Sequence, residues 1–140
     1  MEEKDNLYRR PISRVLISVS DKSGIEELSK GLSDNGIEII STGGTSKVIS
    51  DSGISVRPVE EVTNFPEMMG GRLKTLHPLI FGGILGRDSD EEQMKEHGIA
   101  TIDMVICNLY PFKSAADKGV DLSSLIEEID IGGPSLLRAA

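Results

Sequence analysis

The residue types best suited to chemistry are concentrated in one short segment, residues 70–78, whose sequence is Gly-Gly-Arg-Leu-Lys-Thr-Leu-His-Pro. It carries a guanidinium, an ammonium, a hydroxyl and an imidazole behind a pair of glycines. From Met68 to Arg87 there is no Asp or Glu, although the chain as a whole has a formal net charge of -8. A segment that keeps its positive charge within an acidic protein is suited to binding an anionic ligand.

The backbone of this basic segment decides which of its side chains can act together. Pro78 disfavours helical dihedrals at His77, and the glycines accept dihedrals that other residues avoid, so we predict an extended loop. Alternate residues of an extended chain share a face, which places Arg72 and Lys74 together and Thr75 opposite. A helix would instead pair Lys74 with His77. A solvated basic loop without a ligand is the competing interpretation.

Length and composition limit the class of protein. The 140 residues suffice for one domain with a real core. The negative net charge argues against general nucleic-acid binding, but not against one small phosphorylated ligand. Cys107 is the only cysteine, so there is no internal disulfide and a reducing compartment is favoured. It lies in an apolar run that favours an unreactive thiol, and no metal-ligand spacing is present.

Neither membrane insertion nor export is indicated by the sequence. No apolar stretch approaches the roughly 20 residues that span a bilayer, and the start, Met-Glu-Glu-Lys-Asp, lacks the order of a signal peptide. We therefore predict a cytoplasmic protein that binds neither nucleic acid nor membrane. Residues 1–13 are predicted to be a flexible extension, and residues 14–140 one domain.

The apolar pattern predicts alternating strands and helices. In chain order these are a strand at 14–19, a helix capped by Ser20-Asp21 and ended by Asn35-Gly36, a strand at 37–40, a tight loop at 42–45, a short helix at 46–52, an edge strand at 54–59, a charged helix at 88–96, a central buried strand at 102–110, a helix capped by Asp121 with Leu122, Leu125, Ile126 and Ile129 facing inward, and a final helix with Pro134 in its first turn. The alternation predicts an α/β fold, a three-layer α/β/α sandwich with a mainly parallel sheet.

Polar residues follow three of these strands. They are Ser18, Ser20 and Lys22 after the first strand, Thr42, Gly43, Gly44 and Thr45 after the second, and Asn108 and Tyr110 after the last. Ligands of parallel sheets bind beyond the carboxyl ends of the strands, so we expect one shared pocket. The Thr-Gly-Gly-Thr loop before a helix suits a phosphate, although a glycine pair after a strand is also simply a turn.

Two further positions have both a functional and a structural interpretation. Tyr110 supplies a phenol at a strand end, where a half-buried packing role is equally typical. Asp130 places a carboxylate beside Ile131 and Gly132 at a junction between helices, where termination of a helix would explain the glycine. The segment 65–69 predicts a small apolar lid over the basic segment, or core packing.

These motifs together resemble one family, the inosine monophosphate (IMP) cyclohydrolase domain found at the N-terminus of the bifunctional purine biosynthesis enzyme. The motifs that carry the resemblance are Ser18–Lys22 (SVSDK), Ser41–Thr45 (STGGT), Phe65–Pro78 (FPEMMGGRLKTLHP), Cys107–Phe112 (CNLYPF) and Ile129–Gly133 (IDIGG). They occur in order and cover nearly the whole chain from residue 14. The resemblance implies a methylglyoxal-synthase-like fold and a homodimer.

The resemblance also implies a reaction, the closure of 5-formamidoimidazole-4-carboxamide ribonucleotide to IMP with loss of water. By matching position, the ribonucleotide and its phosphate would be held by Ser18, Ser20, Lys22, Thr42, Gly43, Gly44 and Thr45. Arg72, Lys74 and Thr75 would reach the base. Lys74 and Tyr110 would stabilise the formyl oxygen, Asp130 would position or deprotonate the attacking amide, and Asn108, Ile131 and Gly132 would orient the ring. His77 would support the basic segment from behind.

The chain departs from the family pattern at its end. In the family, the run that ends here at Ala140 continues into a lysine paired with the aspartate, so the resemblance implies impaired turnover. The formyltransferase domain, which uses a folate, lies outside this chain, and no cofactor is implied for the cyclohydrolase domain. Two alternatives share the predicted fold: a methylglyoxal synthase acting on dihydroxyacetone phosphate, and a regulatory module that senses a nucleotide.

Overall fold

The computed structural model describes residues 10–140. Of the predicted N-terminal extension, residues 1–9 lie outside the described residues. Residues 10–13 form no regular element, although the backbone N–H of Ser13 donates a hydrogen bond to Asp103 (2.9 Å). No helix among residues 10–140 has the length and apolar character needed to cross a membrane.

Strands and helices alternate along the described chain, as the apolar pattern predicts. They are β1 (Arg14–Ser18), α1 (Ile25–Asp34), β2 (Glu38–Ser41), α2 (Gly43–Asp51), β3 (Arg57–Pro58), α3 (Val59–Thr63), α4 (Pro78–Leu85), a 3₁₀ turn (Asp88–Asp90), α5 (Glu91–Glu96), β4 (Met104–Cys107), α6 (Phe112–Asp117), α7 (Leu122–Glu127) and α8 (Gly132–Ala139). The four strands pair in parallel in the order β3-β2-β1-β4.

The sheet is covered by helices on both faces. Because side chains alternate along a strand, Val15 and Ile17 pack on one face against α1 and α2, while Leu16 packs on the other against α3, α4 and α8. All three side chains are fully buried. The molecule is therefore the predicted three-layer α/β/α sandwich.

Two strand predictions are partly wrong. The third strand has two residues instead of the predicted run 54–59, although it does lie at an edge, as expected for a strand interrupted by Pro58. The apolar run after residue 102 contributes only Met104–Cys107 and lies at the opposite edge, not at the centre. Its side chains are only partly buried, because β1 pairs with it on one side alone.

The starts of two helices also differ from prediction. α1 is not capped by Ser20-Asp21; it begins at Ile25 with Gly24 as its N-cap, and Asp21 instead accepts a hydrogen bond from the backbone N–H of Ser23. The predicted loop at 42–45 is the beginning of α2, with Thr42 as the N-cap. The helix itself was predicted at residues 46–52, but glycines at its first two positions hid its start from the apolar pattern.

The inward orientation predicted for α7 is wrong. Leu122 is 73% exposed, Ile126 53% and Ile129 52%, and Leu125 is only half-buried. α7 packs against α6 and makes few contacts with the sheet. A helical stripe of apolar residues shows that a face is to be covered, but not by which partner.

Pro78 ends the basic segment by beginning α4, and His77 before it has extended dihedrals (φ -145°, ψ 141°), as predicted. Proline fits the first helical position, and His77 caps the helix by accepting a hydrogen bond at Nδ1 from the backbone N–H of Leu79 (3.1 Å). α4 contains Gly83, whose backbone approaches the chain at Ala100 and Ile102. This close approach holds α4 on the sheet and so fixes the end of the basic segment.

We predict that Gly83→Ala destabilises the fold. A β-carbon at position 83 would lie 2.6 Å from the carbonyl oxygen of Ala100 and 3.0 Å from Cγ1 of Ile102. Overpacking of this kind costs about 1–3 kcal/mol. Urea unfolding would measure the loss of free energy.

Gly31→Ala is the matched control. Gly31 lies within α1, and a β-carbon there would meet nothing within 4 Å. Alanine in place of glycine in an open helical position stabilises by about 0.5–1 kcal/mol. Equal effects of the two substitutions would contradict the close packing of α4.

Candidate active site

A cleft of about 590 Å³ opens at the carboxyl ends of β1, β2 and β4. This volume lies within the range typical of small-molecule sites, about 300–1,000 Å³. The cleft collects segments that are far apart in the sequence: the loop after β1, the start of α2, the basic segment, the loop after β4 and the start of α8. The strand ends therefore converge as expected for a parallel sheet.

Almost all of the predicted site residues meet in this cleft. Its lining includes Ser18, Ser20, Lys22, Thr42, Gly44, Thr45, Arg72, Lys74, Thr75, Asn108, Tyr110, Asp130, Ile131 and Gly132. Gly43 and His77 do not line it. Gly43 lies on the side of α2 that faces Glu67, and His77 caps α4 with its ring near that of Phe65.

The first turn of α2 forms one wall of the cleft. Thr42 caps the helix without a side-chain hydrogen bond to its backbone, and the first turn has no acidic residue. The first backbone N–H groups of a helix have no partner within it, and the helix dipole makes this end positive. Thr42 and Ser18 share a hydrogen bond between their hydroxyls (3.2 Å), which ties the wall to β1.

Lys22 reaches this wall from the loop after β1. Its ammonium donates to the carbonyl oxygens of Val19 and Ser20, both at 3.2 Å. A β-carbon at Gly44 would lie 3.5 Å from Cε of Lys22 and 3.9 Å from its Nζ. The ammonium of Lys22 therefore lies beside the first turn of α2. An ammonium and an uncapped helix N-terminus side by side form a suitable site for an anion.

Asn108 organises the loop after β1. Its Oδ1 accepts hydrogen bonds from the backbone N–H groups of Ser20 (2.6 Å) and Asp21 (3.1 Å), and its Nδ2 donates to the carbonyl oxygen of Asp21 (2.8 Å). The amide is therefore mostly engaged by the protein backbone. Asn108 therefore positions the loop that carries Ser20 and Lys22.

The basic segment forms a tight turn, not the extended loop that we predicted. Met68 and Leu73 pair as an antiparallel bridge, and Met69, Gly70 and Gly71 all have positive φ (56°, 65° and 84°). The glycine pair therefore has the conformational role expected of it. Arg72 donates from Nε to the carbonyl oxygen of Met69 (2.7 Å), which fixes the guanidinium over the turn.

Thr75 also lines the cleft, so the prediction that it lies opposite Arg72 and Lys74 is wrong. The backbone bends at residues 74 and 75 and breaks the alternation of an extended chain. Thr75 is 2% exposed, and its hydroxyl lies close to the start of α8. A β-carbon at Gly132 would lie 3.2 Å from this hydroxyl. Glycine at position 132 therefore lets α8 begin close to Thr75.

Asp130 is held rigidly on the opposite wall. Its Oδ1 accepts a hydrogen bond from the backbone N–H of Gly133 (2.8 Å), and its Oδ2 accepts one from that of Tyr110 (3.3 Å). Burial, followed by the charge of Asp130, raises the pKa of the Cys107 thiol above its ordinary value. This shift fits the prediction that Cys107 is unreactive, because the thiolate is the nucleophilic form.

Three acidic residues were not found by sequence reasoning. Glu127 and Glu128 line the cleft, and Glu67 lies behind its wall, against Gly43 and Gly71. The glutamates at 127 and 128 resemble any exposed helix end in the sequence, so no motif marks them. Within residues 10–140, no group of three or more His, Cys, Asp or Glu side chains could hold a metal ion.

Known proteins similar to this chain were found among both sequences and structures. A bifunctional purine biosynthesis protein PurH from Oceanobacillus iheyensis is 59% identical over 131 residues, which cover 91% of this chain and 26% of that protein. One from a Ruegeria species is 53% identical, covering 93% of this chain and 25% of that protein. The chain thus spans about a quarter of the length of these relatives.

The structure described as the crystal structure of ForH is also similar. It superposes with a TM-score of 0.76 at 35% identity, covering 93% of this chain and 68% of that one. The model of the MGS-like (methylglyoxal-synthase-like) domain matches residues 24–135. These matches confirm the resemblance drawn from the motifs, and the chain belongs to the family of MGS-like domains.

Proposed function

We propose that this chain is an IMP cyclohydrolase domain of purine biosynthesis, which closes 5-formamidoimidazole-4-carboxamide ribonucleotide to IMP. The observation that carries the proposal is the presence of Lys74, Tyr110 and Asp130 in one cleft with the N-terminus of α2. The names of the relatives support it, since they are bifunctional purine biosynthesis proteins.

The phosphate of the ribonucleotide would bind at the first turn of α2. Gly44 and Thr45 offer backbone N–H groups there, and the ammonium of Lys22 lies beside Gly44. The hydroxyls of Ser18 and Thr42 stand at the same wall. Charge-assisted hydrogen bonds to a phosphate are the strong kind, so this end would supply most of the affinity.

The base would lie between the start of α8 and the turn at Met68–Leu73 with Lys74 after it, which we call the basic turn. Arg72 and Lys74 approach from one side, and the backbone of Ile131 and Gly132 from the other. The hydroxyl of Thr75, which also lines the cleft, lies close to Gly132. Ordering the reacting groups in this way lowers the entropic cost of ring closure.

Ring closure needs a weak nucleophile to attack a formyl carbon. The carboxamide nitrogen forms the new C–N bond and loses one proton. The formamido nitrogen loses the other proton as it becomes part of a C=N bond, and the formyl oxygen takes up both protons and leaves as water. Lys74 and Tyr110 would stabilise the negative charge that develops on this oxygen. Asp130, held by two backbone N–H groups, would orient or deprotonate the nitrogen.

No cofactor is proposed for this domain, and the folate-dependent formyltransferase activity is proposed for a part of the protein beyond this chain.

The family pattern also places a lysine just past Ala140, as a partner of Asp130. Loss of a general acid or base commonly lowers the rate by about 10²–10⁴-fold. We therefore expect any polypeptide of this family that lacks the lysine to bind the nucleotide but to turn it over poorly.

We predict that a form extended past Ala140 converts the formamido ribonucleotide to IMP, and that the 140-residue chain does so at least about 100-fold more slowly. Absorbance or chromatography of the product would measure both rates.

Dihydroxyacetone phosphate is the substrate expected for the alternative function, a methylglyoxal synthase. Conversion of that compound without formation of IMP would contradict the proposal and favour a methylglyoxal synthase, while binding without turnover of either would favour a regulatory module.

We predict that Lys74→Ala in the extended form lowers kcat for ring closure by about 10²–10³-fold, since it removes a cation from the developing oxyanion. Lys47→Ala is the matched control, because Lys47 is an exposed residue of α2 that pairs with Asp51 and does not line the cleft. The control should change kcat by less than about 2-fold. Equal kcat values for Lys74→Ala and the parent would remove Lys74 from the mechanism.

We also propose a homodimer that covers the apolar face of α7 and the residues after it. Leu122, Ile126, Ile129 and Ile131 are each more than half exposed there, and contiguous apolar patches commonly mark interfaces. Light scattering is expected to give twice the 15.1 kDa of one chain. Leu122→Glu should shift the mass towards the monomer, while Leu28→Glu, at an exposed position on α1, should not. A monomeric parent chain would contradict the homodimer.

A further inference from the structure

Glu67 lies at the junction of two walls of the cleft. It directly precedes the turn formed by Met68 to Leu73 and reaches back to the first residue of α2. Among the described residues, no hydrogen bond joins residues 65–74 to α2. The contacts of Glu67 therefore connect the two walls where hydrogen bonds do not.

The carboxylate fills space that side chains would otherwise need. A β-carbon at Gly71 would lie 2.6 Å from Oε1 of Glu67, and one at Gly43 would lie 3.2 Å from Oε2. Real β-carbons do not come as close as 2.6 Å to another heavy atom, so a side chain at position 71 would push aside this carboxylate, which is the end of an exposed and flexible side chain. The two glycines form a slot, and the carboxylate occupies it.

Lys74 approaches the same slot. Its Nζ lies 3.7 Å from the position of a β-carbon at Gly71, the same point that Oε1 of Glu67 approaches. The carboxylate and the ammonium are thus neighbours across the turn, although they do not form a direct ion pair. The first turn of α2 has no acidic residue of its own, so Glu67 supplies the negative charge on its outer side.

We propose that Glu67 is a positioning residue that fixes the turn carrying Arg72 and Lys74 against the start of α2. The role rests on the proposed function, since it sets the distance between the cations at the base and the phosphate site. The turn is closed by its own backbone hydrogen bonds, such as that from the N–H of Gly71 to the carbonyl oxygen of Met68 (3.2 Å), but none of these bonds fixes it to α2. Glu67 acts through Lys74 and does not itself line the cleft.

Gly70 and Gly71 provide a matched pair of variants for the test. Both have positive φ, so alanine is strained at either position. A β-carbon at Gly70 would meet nothing within 4 Å, whereas one at Gly71 would collide with Glu67. Gly70→Ala therefore measures backbone strain alone, and Gly71→Ala measures strain together with displacement of the carboxylate.

The experiment measures kcat and KM for ring closure in the extended form carrying Gly70→Ala, Gly71→Ala, Glu67→Ala or Gly71→Ala with Glu67→Ala. Because misplacing a catalytic group by about 1 Å can cost 10²-fold, we expect Glu67→Ala to lower kcat by about 10–100-fold. KM should change by less than about 3-fold, since Glu67 approaches α2 at Gly43, whereas the phosphate would bind at Gly44 and Thr45, which line the cleft. The kcat of Gly71→Ala should be at least about 10-fold lower than that of Gly70→Ala. The kcat of the double variant should be at most about 3-fold lower than that of Glu67→Ala.

Three results would overturn the role of Glu67. They are an unchanged kcat for Glu67→Ala, equal kcat values for Gly70→Ala and Gly71→Ala, or a loss of kcat in the double variant that equals the product of the two single losses.

Absence of ring closure from the parent extended form would instead contradict the proposed function. The contact would then be judged by thermal unfolding, in which the Tm lost through Gly71→Ala should be smaller when Glu67 is already alanine. An equal loss of Tm in both backgrounds would overturn the contact as well.

Discussion

The site depends on the parallel pairing of β1 with both β2 and β4. This pairing brings three strand ends to one edge of the sheet, and the loops that follow them carry the polar side chains of the cleft. The strands are held in register by side chains that are buried on both faces, such as Leu16 and Ile17. A one-residue slip would turn each of these side chains to the opposite face, so the register of the core also fixes the geometry of the cleft.

Within the cleft, charge is divided between two walls. Lys22, Arg72 and Lys74 belong to the side built from α2 and the basic turn, while Glu127, Glu128 and Asp130 belong to the side built from α7 and α8. A basic segment in an acidic chain is thus not simply a positive patch, because the fold places carboxylates opposite it. A cleft with cations at one wall and a fixed carboxylate at the other suits a reaction in which one atom gains negative charge while another loses a proton.

The sequence predicted the site better than it predicted the elements that carry it. Thr45, Lys74 and Asp130 were identified by their types and motifs, and those properties do not depend on where a helix begins. The position of β4 at an edge, and the exposure of Leu122 on α7, depend on which surfaces meet in three dimensions, and an apolar pattern does not contain this information. The bend at Thr75 escaped prediction for a similar reason, since it follows from the left-handed turn at Met69 and the two glycines. The roles of individual residues in catalysis stay proposals.

The central claim is that one mononucleotide binds with its phosphate at the start of α2 and its base beside the basic turn. The most direct measurement is a crystal structure of the protein with IMP bound. The account predicts phosphate oxygens within hydrogen-bonding distance of the backbone N–H groups of Gly44 and Thr45 and of Nζ of Lys22, with the heterocycle between Lys74 and the backbone of Ile131. A nucleotide bound in the reverse direction, or outside this cleft, would contradict it.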